Sequence, residues 1–308
     1  MDNLAPIVLF VYNRPWHTEQ TLNYLMLNEL ADQSVLYIYA DGQKINATDE
    51  DIENIQKVRS FIRSKQWCKD VYIIEAEKNK GLANSIIDGV SEVISKHDKV
   101  IVLEDDLVTS VGFLKYMNEA LELYKDEEKV AGVSGFSFIE SPDETFFLRL
   151  TSCLGWGTWK HVWSNINFDT TFWLDKISNA QIKYDFNLKG LYNYYEMLQK
   201  QHEGKTNSWA IRFYAYSFFN QLLFLYPKRT VLFHIGYDSG TNCSGAERSD
   251  LSEYQFLETK IHLRKLEVKE EKYNWLILKK YLTRNQHVYI YFLTMKLKRI
   301  FNRLIRIR

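Results

Sequence analysis

The chain has 308 residues, of which 46% are hydrophobic and 25% are charged. These values fit one large globular domain, or two modest ones, with an ample core. Its three cysteines are odd in number and widely spaced, which excludes a disulfide framework and a cysteine-based zinc site. The first residues lack the pattern of a signal peptide, so we expect a reducing, cytoplasmic setting.

The formal net charge of zero hides an uneven distribution. Ten of the 39 basic residues and none of the 39 acidic residues lie from Lys272 onward, which leaves a formal charge of −10 on the preceding residues. A charge split of this kind predicts a partner surface near the C-terminal end.

Apolar runs and amphipathic stretches alternate four times in the first hundred residues. The runs at 6–12, 35–40, 71–75 and 100–103 predict strands, and the stretches between them predict helices, one of them capped by Thr48 and Asp51. This alternation predicts a parallel α/β sheet with right-handed crossovers. Ligands of such sheets bind at the carboxyl ends of the strands, so residues that directly follow strands are candidate site residues.

Three consecutive acids, Glu104, Asp105 and Asp106, follow the fourth predicted strand. Their carboxylates repel each other unless a cation or several donors neutralise them. Mg²⁺ typically binds one or two carboxylates together with substrate phosphates, so the acids indicate a metal site. The alternative is an acidic turn that caps the next helix, whose periodic run begins at Phe113 just after Ser110.

Polar residues also follow the other three predicted strands, at Arg14, Asp41 and Asn79. An arginine can hold a diphosphate, and an aspartate can accept a hydrogen bond from a base or a ribose. Alternatively, Arg14 is a surface residue at a helix start, and Asp41 with Gly42 forms an ordinary turn. The chain has neither a Gly-x-Gly-x-x-Gly motif after the first strand nor a P-loop, which disfavours dinucleotide and P-loop chemistry.

The parallel alternation ends after residue 110. The runs at 130–136, 145–150 and 230–235 predict strands, and those at 191–201 and 209–225 predict helices. Glycines beside tryptophans at 153–159 predict either a loop where an indole stacks on a ligand or a tight turn with core indoles. His234 is either a second metal ligand or a histidine that forms a hydrogen bond in the core.

Together these segments resemble GT-A-fold glycosyltransferases, more narrowly bacterial sugar transferases related to the N-acetylglucosaminyltransferase I family. The resemblance covers about residues 5 to 245. It is carried by Val8-Leu-Phe-Val-Tyr-Asn-Arg14, Asp41-Gly42, Asn79-Lys80-Gly81, Glu104-Asp105-Asp106-Leu107, Phe113-Leu-Lys-Tyr116, Leu154-Gly-Trp156 and Ser208-Trp-Ala-Ile-Arg212. It implies a mostly parallel sheet flanked by helices. It also implies metal-dependent, inverting transfer of a sugar from a nucleotide-diphosphate sugar.

The resemblance further implies roles for single residues. Asp106 would bind Mn²⁺ or Mg²⁺, while Glu104 and Asp105 would face the sugar and ribose of the donor. Donor binding would also involve Arg14 near the diphosphate, Asp41 near the base, and Asn79 and Gly81. The acceptor side would consist of Trp156, Asn207, Ser208 and Trp209. The expected donor is a UDP-sugar and the expected acceptor a saccharide or a lipid-linked saccharide, in bacterial surface polysaccharide or lipooligosaccharide synthesis.

One position departs from the family pattern. Inverting members carry an aspartate as general base just before the tryptophan that Trp209 matches, and this chain has Asn207-Ser208 there. Neither side chain is a base at neutral pH. The base is therefore unassigned, with three candidates, Glu203, Asp175 and Asp238. The alternative functions are a sugar-nucleotide nucleotidyltransferase, which usually opens with a glycine-rich phosphate loop, and a non-catalytic protein that binds sugar nucleotides.

We predict a GT-A domain over residues 1–245, with a nucleotide-sugar-binding half at 1–110 and an acceptor half at 111–245. Residues 246–308 would form a helical segment with a basic amphipathic stripe at Leu293, Leu297, Ile300, Phe301 and Leu304. Such helices are typical of membrane interfaces. We therefore expect attachment to the anionic inner face of the cytoplasmic membrane. Docking on a neighbouring subunit is an alternative, and the acidic body disfavours nucleic acid.

Overall fold

A computed structural model describes residues 3–236 and 259–284 of the chain. Its ten strands are β1 (Ile7–Val11), β2 (Val35–Ala40), β3 (Asp70–Glu75), β4 (Lys99–Glu104), β5 (Leu107–Thr109), β6 (Val130–Ser134), β7 (Thr145–Leu148), β8 (Trp156–Trp159), β9 (Leu223–Pro227) and β10 (Leu232–His234). Its helices include α1 (Pro15–Met26), α2 (Asp49–Ile62), α3 (Leu82–Lys96), α4 (Phe113–Leu123), α5 (Lys160–Trp163), α6 (Thr170–Lys176), α7 (Ala180–Phe186), α8 (Tyr194–His202) and α9 (Ala210–Phe219). Residues 272–284 are helical as well, and Ala31–Gln33 form a 3₁₀ turn.

Eight strands form the central sheet, in the order β3-β2-β1-β4-β8-β6-β9-β7. The first four in this order are parallel neighbours, and β6 and β9 run in the same direction as they do. Only β8 and β7 run the opposite way within this sheet. The predicted mostly parallel α/β sheet is therefore confirmed. β1 is buried along its whole length, as expected for a central strand covered by helices on both faces.

The ends of two early helices show how far local patterns determine the structure. Thr48 and Asp51 form the predicted capping box at the start of α2, with each side chain bonded to the backbone of the other residue. The helical pattern after β1 extends to Leu30, but α1 already ends at Met26. Leu30 itself has a φ of 74°, a left-handed conformation in which a right-handed helix cannot continue.

The predicted helix at 209–225 is wrong in its second half. α9 ends at Phe219, and Gln221 has a left-handed φ of 56°. The following apolar run becomes β9, which pairs with β6 on one side and with β7 on the other. A short apolar run fits a buried strand as well as a buried helix, and here the gap between β6 and β7 decides the outcome.

The acidic residues do not cap a helix. The short strand β5 separates them from α4, which begins at Phe113 with Gly112 as its N-cap residue. β5 pairs with β10 to form a second, two-stranded sheet. The capping interpretation of the acids and of Ser110 is therefore wrong.

Part of the predicted C-terminal segment belongs to the folded domain. The backbone N–H of Leu266 donates to the Tyr124 hydroxyl at 2.9 Å, and Leu278 is fully buried in the same core as the sheet. A domain boundary at residue 245 is therefore wrong for 259–284, because these residues pack on the sheet domain. The stripe at 293–304 lies outside the described residues. No helix in the described ranges is long and apolar enough to cross a membrane.

Candidate active site

The three consecutive acids lie at the carboxyl end of β4, in the middle of the sheet. Glu104 is the last residue of β4, and Asp105 and Asp106 form the turn into β5. The Thr21 hydroxyl of α1 donates to the Asp105 carbonyl at 2.8 Å and so fixes this turn against the helix. Asp105 and Asp106 are only 5% and 6% exposed. The carboxylates of Asp105 and Asp106 thus have little access to water, and Glu104 before them is half-buried.

Arg14 is the cation that this cluster contacts most closely. It precedes Pro15, the first residue of α1, and its Nη2 donates to Asp105 and, at 2.7 Å, to Asp106 Oδ2. The interpretation of Arg14 as a surface residue is therefore wrong. One guanidinium against three carboxylates leaves a formal excess of two negative charges when all three acids are ionised.

Burial and the neighbouring charges shift the pKa values of the acids in opposite directions. Burial, reinforced by the charges of Asp106 and Asp105, raises the pKa of Glu104 to about 8. Burial acts in the same direction on Asp106, but the hydrogen bond to His234 and the charge of Arg14 prevail and lower its pKa to about 2. Asp106 is therefore ionised at neutral pH, whereas Glu104 keeps its proton up to about pH 8. Burial also raises the pKa of Asp105.

The ribbon of β5 and β10 brings His234 to the acids. His234 pairs with Leu107 in the antiparallel register, and its Nε2 lies 3.3 Å from Asp106 Oδ2. The Ile235 N–H donates to the Asp106 carbonyl at 2.9 Å, which extends the pairing past the strand. His234 is thus placed at the predicted metal site, and its role as a second ligand stays a prediction.

Gly236 is a site residue that our sequence analysis did not single out. A Cβ at this position would overlap Asp106 Oδ2 and lie 2.8 Å from Asp106 Cγ and 3.0 Å from His234 Nε2. Any side chain would therefore displace the carboxylate or the imidazole. A glycine directly after the predicted strand at 230–235, two residues past His234, is a signal for close backbone approach.

The residues at the end of β4 fit a divalent cation bound together with a phosphate. Asp106, which is ionised at neutral pH, and His234 provide an oxygen and a nitrogen ligand side by side. Arg14 Nη1 is buried and has no hydrogen-bond partner among the described residues, so one donor remains for an anionic ligand. Within residues 3–236 and 259–284, no three His, Cys, Asp or Glu side chains form a complete metal site. The remaining ligands would therefore come from a substrate, as Mg²⁺ sites commonly arrange.

The Asp41 carboxylate is engaged in hydrogen bonds within the protein, and its place near the base stays a prediction. Its Oδ1 accepts from the backbone N–H groups of Gly42 and Lys80 at 2.8 and 2.9 Å. Its Oδ2 accepts from the Gly81 N–H and from Asn79 Nδ2, both at 3.0 Å. Four donors use the full acceptor capacity of a carboxylate, so none is left for a nucleobase. Asp41 instead joins the loops that follow β2 and β3, which makes it a positioning residue.

Two glycines allow this junction to form. A Cβ at Gly42 would lie 2.7 Å from the backbone nitrogen of Lys78, so the two loops touch through their backbones. Gly81, the N-cap residue of α3, has a φ of 74°, which favours glycine. A Cβ there would lie 3.5 Å from Asn207 Nδ2. Asn207 of the predicted acceptor side therefore lies against Gly81 of the predicted donor side.

The indoles of Trp156 and Trp209 pack in the core. Trp156 is 1% exposed, because β8 is inserted between β4 and β6. Its ring stacks on those of Trp209 and Trp163, with centroid distances of 4.8 and 5.5 Å. Their burial leaves little indole surface for an acceptor, and their place on the acceptor side stays a prediction. Their stack supports the start of α9, where the exposed Asn207 and the half-buried Ser208 lie.

The general base of the reaction stays unassigned. Glu203 is exposed at the end of α8 and forms an ion pair with Lys205 at 2.6 Å. The hydrogen bond from Lys205 lowers the pKa of Glu203, which makes it a weaker base. Asp175 is exposed on α6, and Asp238 lies outside the described residues. Glu203 and Asp175 thus have the surroundings of solvated surface carboxylates.

The comparisons with known proteins yield only distant similarity in fold. No protein-family model and no curated protein matches the chain. Among solved structures, S. aureus TarS 1–349 has a TM-score of 0.41 at 10% identity, covering 75% of this chain and 60% of that chain. Mouse xyloside xylosyltransferase 1 in its apo form has a TM-score of 0.39 at 8% identity, covering 71% and 83%.

A third solved structure is the mannosyltransferase PcManGT from Pyrobaculum calidifontis in complex with GDP-Man and Mn²⁺. Its TM-score is 0.34 at 9% identity, and the match covers 57% of this chain and 46% of that chain. The chain therefore spans less than two thirds of the length of PcManGT and of the TarS fragment. At such low similarity, no residue role in this chain is assigned from these three structures.

Proposed function

We propose that the protein is a metal-dependent glycosyltransferase that moves a sugar from a nucleotide-diphosphate sugar, a UDP-sugar, to a saccharide or a lipid-linked acceptor. The observation that carries this proposal is the buried contact of Arg14 with Asp105 and Asp106 at the carboxyl end of β4, beside His234. This arrangement offers cation ligands and an arginine donor for one diphosphate group.

Each of these residues has a task in such a reaction. Asp106 and His234 would hold Mn²⁺ or Mg²⁺, which neutralises negative charge on the leaving diphosphate. The unpaired Nη1 of Arg14 would donate to a phosphate oxygen. Asp41 would keep Asn79 and Gly81 in place beside the donor, and the loop at Asn207 would border the acceptor. Inversion of the sugar and a role in bacterial surface polysaccharide or lipooligosaccharide synthesis belong to the same proposal.

A thermal-shift screen of nucleotide sugars with and without Mn²⁺ tests the proposal. Wild-type protein should unfold at a higher temperature only with an intact nucleotide sugar and Mn²⁺ together. Asp106→Asn removes one metal ligand, so it should abolish this shift in unfolding temperature. It should also lower the rate of transfer about a thousandfold. Asp70→Asn, an exposed residue at the opposite end of β3, is the matched control and should behave as wild type. Full activity of wild type with a chelator present would refute the metal-dependent site.

The same screen separates the two alternatives. A protein that binds the donor but transfers nothing to any acceptor would be a sugar-nucleotide-binding protein. This alternative follows from the missing general base, because Asn207-Ser208 replaces it and Glu203 and Asp175 are solvated. Donor hydrolysis should therefore be measured as well as transfer. Release of pyrophosphate from a nucleoside triphosphate and a sugar phosphate would instead identify a nucleotidyltransferase. The segment Asn13-Arg14-Pro15, where that class usually has a glycine-rich loop, opposes this alternative.

A further inference from the structure

The helix at 272–284 has one face packed on the domain and one face directed outward. On the inner side Asn274 and Leu278 are fully buried, and Asn274 accepts a hydrogen bond from the Ser141 hydroxyl at 2.9 Å. The helical repeat places the exposed residues on the opposite side. We call this side the basic outer face, and it consists of Lys272, Tyr273, Leu276, Lys279, Lys280 and Arg284.

The basic outer face has four positive charges that the domain does not neutralise. The helix contains no acidic residue, and within residues 3–236 and 259–284 its three lysines and its arginine form no ion pair. The acids that directly precede it are already paired, Glu270 with Arg149 and Glu271 with Lys269. Lysines elsewhere on the surface, such as Lys200, do pair with carboxylates. The positive electrostatic potential of this face can therefore attract an anionic partner outside the described domain.

The apolar residues of the same face indicate what kind of anionic partner it fits. Leu276 is 52% exposed in the middle of the four cations. Tyr273 is 39% exposed at the edge of the face, where its hydroxyl donates to Asp143 of the domain. A leucine surrounded by lysines, with a tyrosine at the edge, is typical of helices that lie at a lipid interface. A soluble polyanion would use the cations but gain little from an exposed leucine.

We propose that the basic outer face of helix 272–284 lies against an anionic lipid bilayer. The following 24 residues, 285–308, add six Lys or Arg and no acid, so the positive charge continues along the chain. Because the inner face is fixed to the domain through Asn274 and Leu278, this contact sets the orientation of the domain on the membrane. A membrane-bound segment that did not pack on the domain would hold it at the surface without setting its orientation. The inference goes beyond glycosyl transfer and does not depend on the activity of the site.

Vesicle flotation of the full chain tests this contact. Vesicles of phosphatidylcholine alone are compared with vesicles that also contain phosphatidylglycerol. Each cation near an anionic surface raises partitioning about fivefold. The variant with Lys272→Glu, Lys279→Glu and Lys280→Glu should therefore partition at least about a hundredfold less. The matched control reverses three exposed lysines near the end of α2, Lys57, Lys65 and Lys69, and should partition much nearer to wild type.

Leu276→Ser distinguishes a bilayer from a soluble polyanion. It should weaken partitioning into anionic vesicles several-fold and leave binding to heparin unchanged, because only the bilayer buries the leucine. Equal flotation of wild type and the helix variant would overturn the proposal and leave residues 285–308 to account for any binding. Strong heparin binding without flotation would overturn it as well. The variant with the three lysine reversals should still transfer a sugar to a small soluble acceptor at the wild-type rate. This measurement separates the membrane contact from the test of the active site.

Discussion

The two sides of the candidate active site are built in different ways. Arg14, Asp41 and Asn79 lie within four residues of the ends of β1, β2 and β3, and parallel pairing brings them to one edge of the sheet. His234 and Asn207 come from distant parts of the chain, through the β5–β10 ribbon and through the start of α9. Residues of the first kind can be located once strand order is known. Those of the second kind require knowledge of pairing that no local pattern contains.

Gly236→Ala should have the largest effect, and it tests the side built by the ribbon. The new methyl group overlaps the Asp106 carboxylate and crowds His234. A displacement of about 1 Å at a reacting centre costs about a hundredfold in rate. We expect at least this loss in transfer and a matching loss in Mn²⁺-dependent stabilisation, with the fold intact by circular dichroism. Gly204→Ala is the control: its φ of 69° makes the backbone strained after substitution, but its Cβ would meet no atom within 4 Å, so activity should be retained.

Asp41→Asn tests the side built by the parallel strands. The amide can accept at only one of its two positions, so buried N–H groups lose their partner, which costs about 1–3 kcal/mol of unfolding free energy. We expect lower thermal stability and a rise of about tenfold in the KM for the donor, since the loop with Asn79 and Gly81 loosens. A changed nucleobase preference without loss of stability would instead mean that Asp41 contacts the base.

Glu104→Gln should remove a pH dependence from the stability of the metal-free protein. The pKa of Glu104 is raised from 4.5 to about 8, so the folded state binds this proton more tightly than the unfolded state. Wild-type stability in a chelator should therefore fall as pH rises from about 4.5 to 8, by up to about 1.4 kcal/mol per pH unit. The variant should lack this decrease and be the more stable protein at pH 8. Urea unfolding at several pH values measures it, with Glu50→Gln as the surface control. Parallel curves for the variant and wild type would contradict the shift.

Glu203→Gln and Asp175→Asn should have the smallest effects. Both carboxylates are exposed, and we expect turnover at saturating donor within about twofold of wild type. Loss of a general base usually costs about a hundredfold or more, so a tenfold decrease in either variant would return that residue to the site. Asp238→Asn is compared in the same assay because its position follows Gly236 so closely.

The sequence determined the side built by parallel strands better than it determined the other. The alternation of strands and helices, the capping box of α2 and the position of Arg14 at the same sheet edge as the acids all followed from local patterns. β8 and β9 were missed, because an apolar run gives no sign of whether it fills a gap in a sheet. Trp156 was expected at a ligand for the same reason. Asp41 was located correctly, but its partners at 79–81 depend on a loop conformation that a single sequence does not specify.

The ribbon of β5 and β10 also bears on the order in which the protein assembles. Asp106 and His234 are 128 positions apart, so the full site exists only after the chain beyond residue 230 has paired with β5. Contacts between such distant residues form late, because a long loop must first close. Arg14 lies within the first strand-helix unit and can neutralise the acids as soon as β1 and β4 pair. The arginine would then act as an internal counter-ion that keeps the nascent sheet from being pushed apart by its own carboxylates.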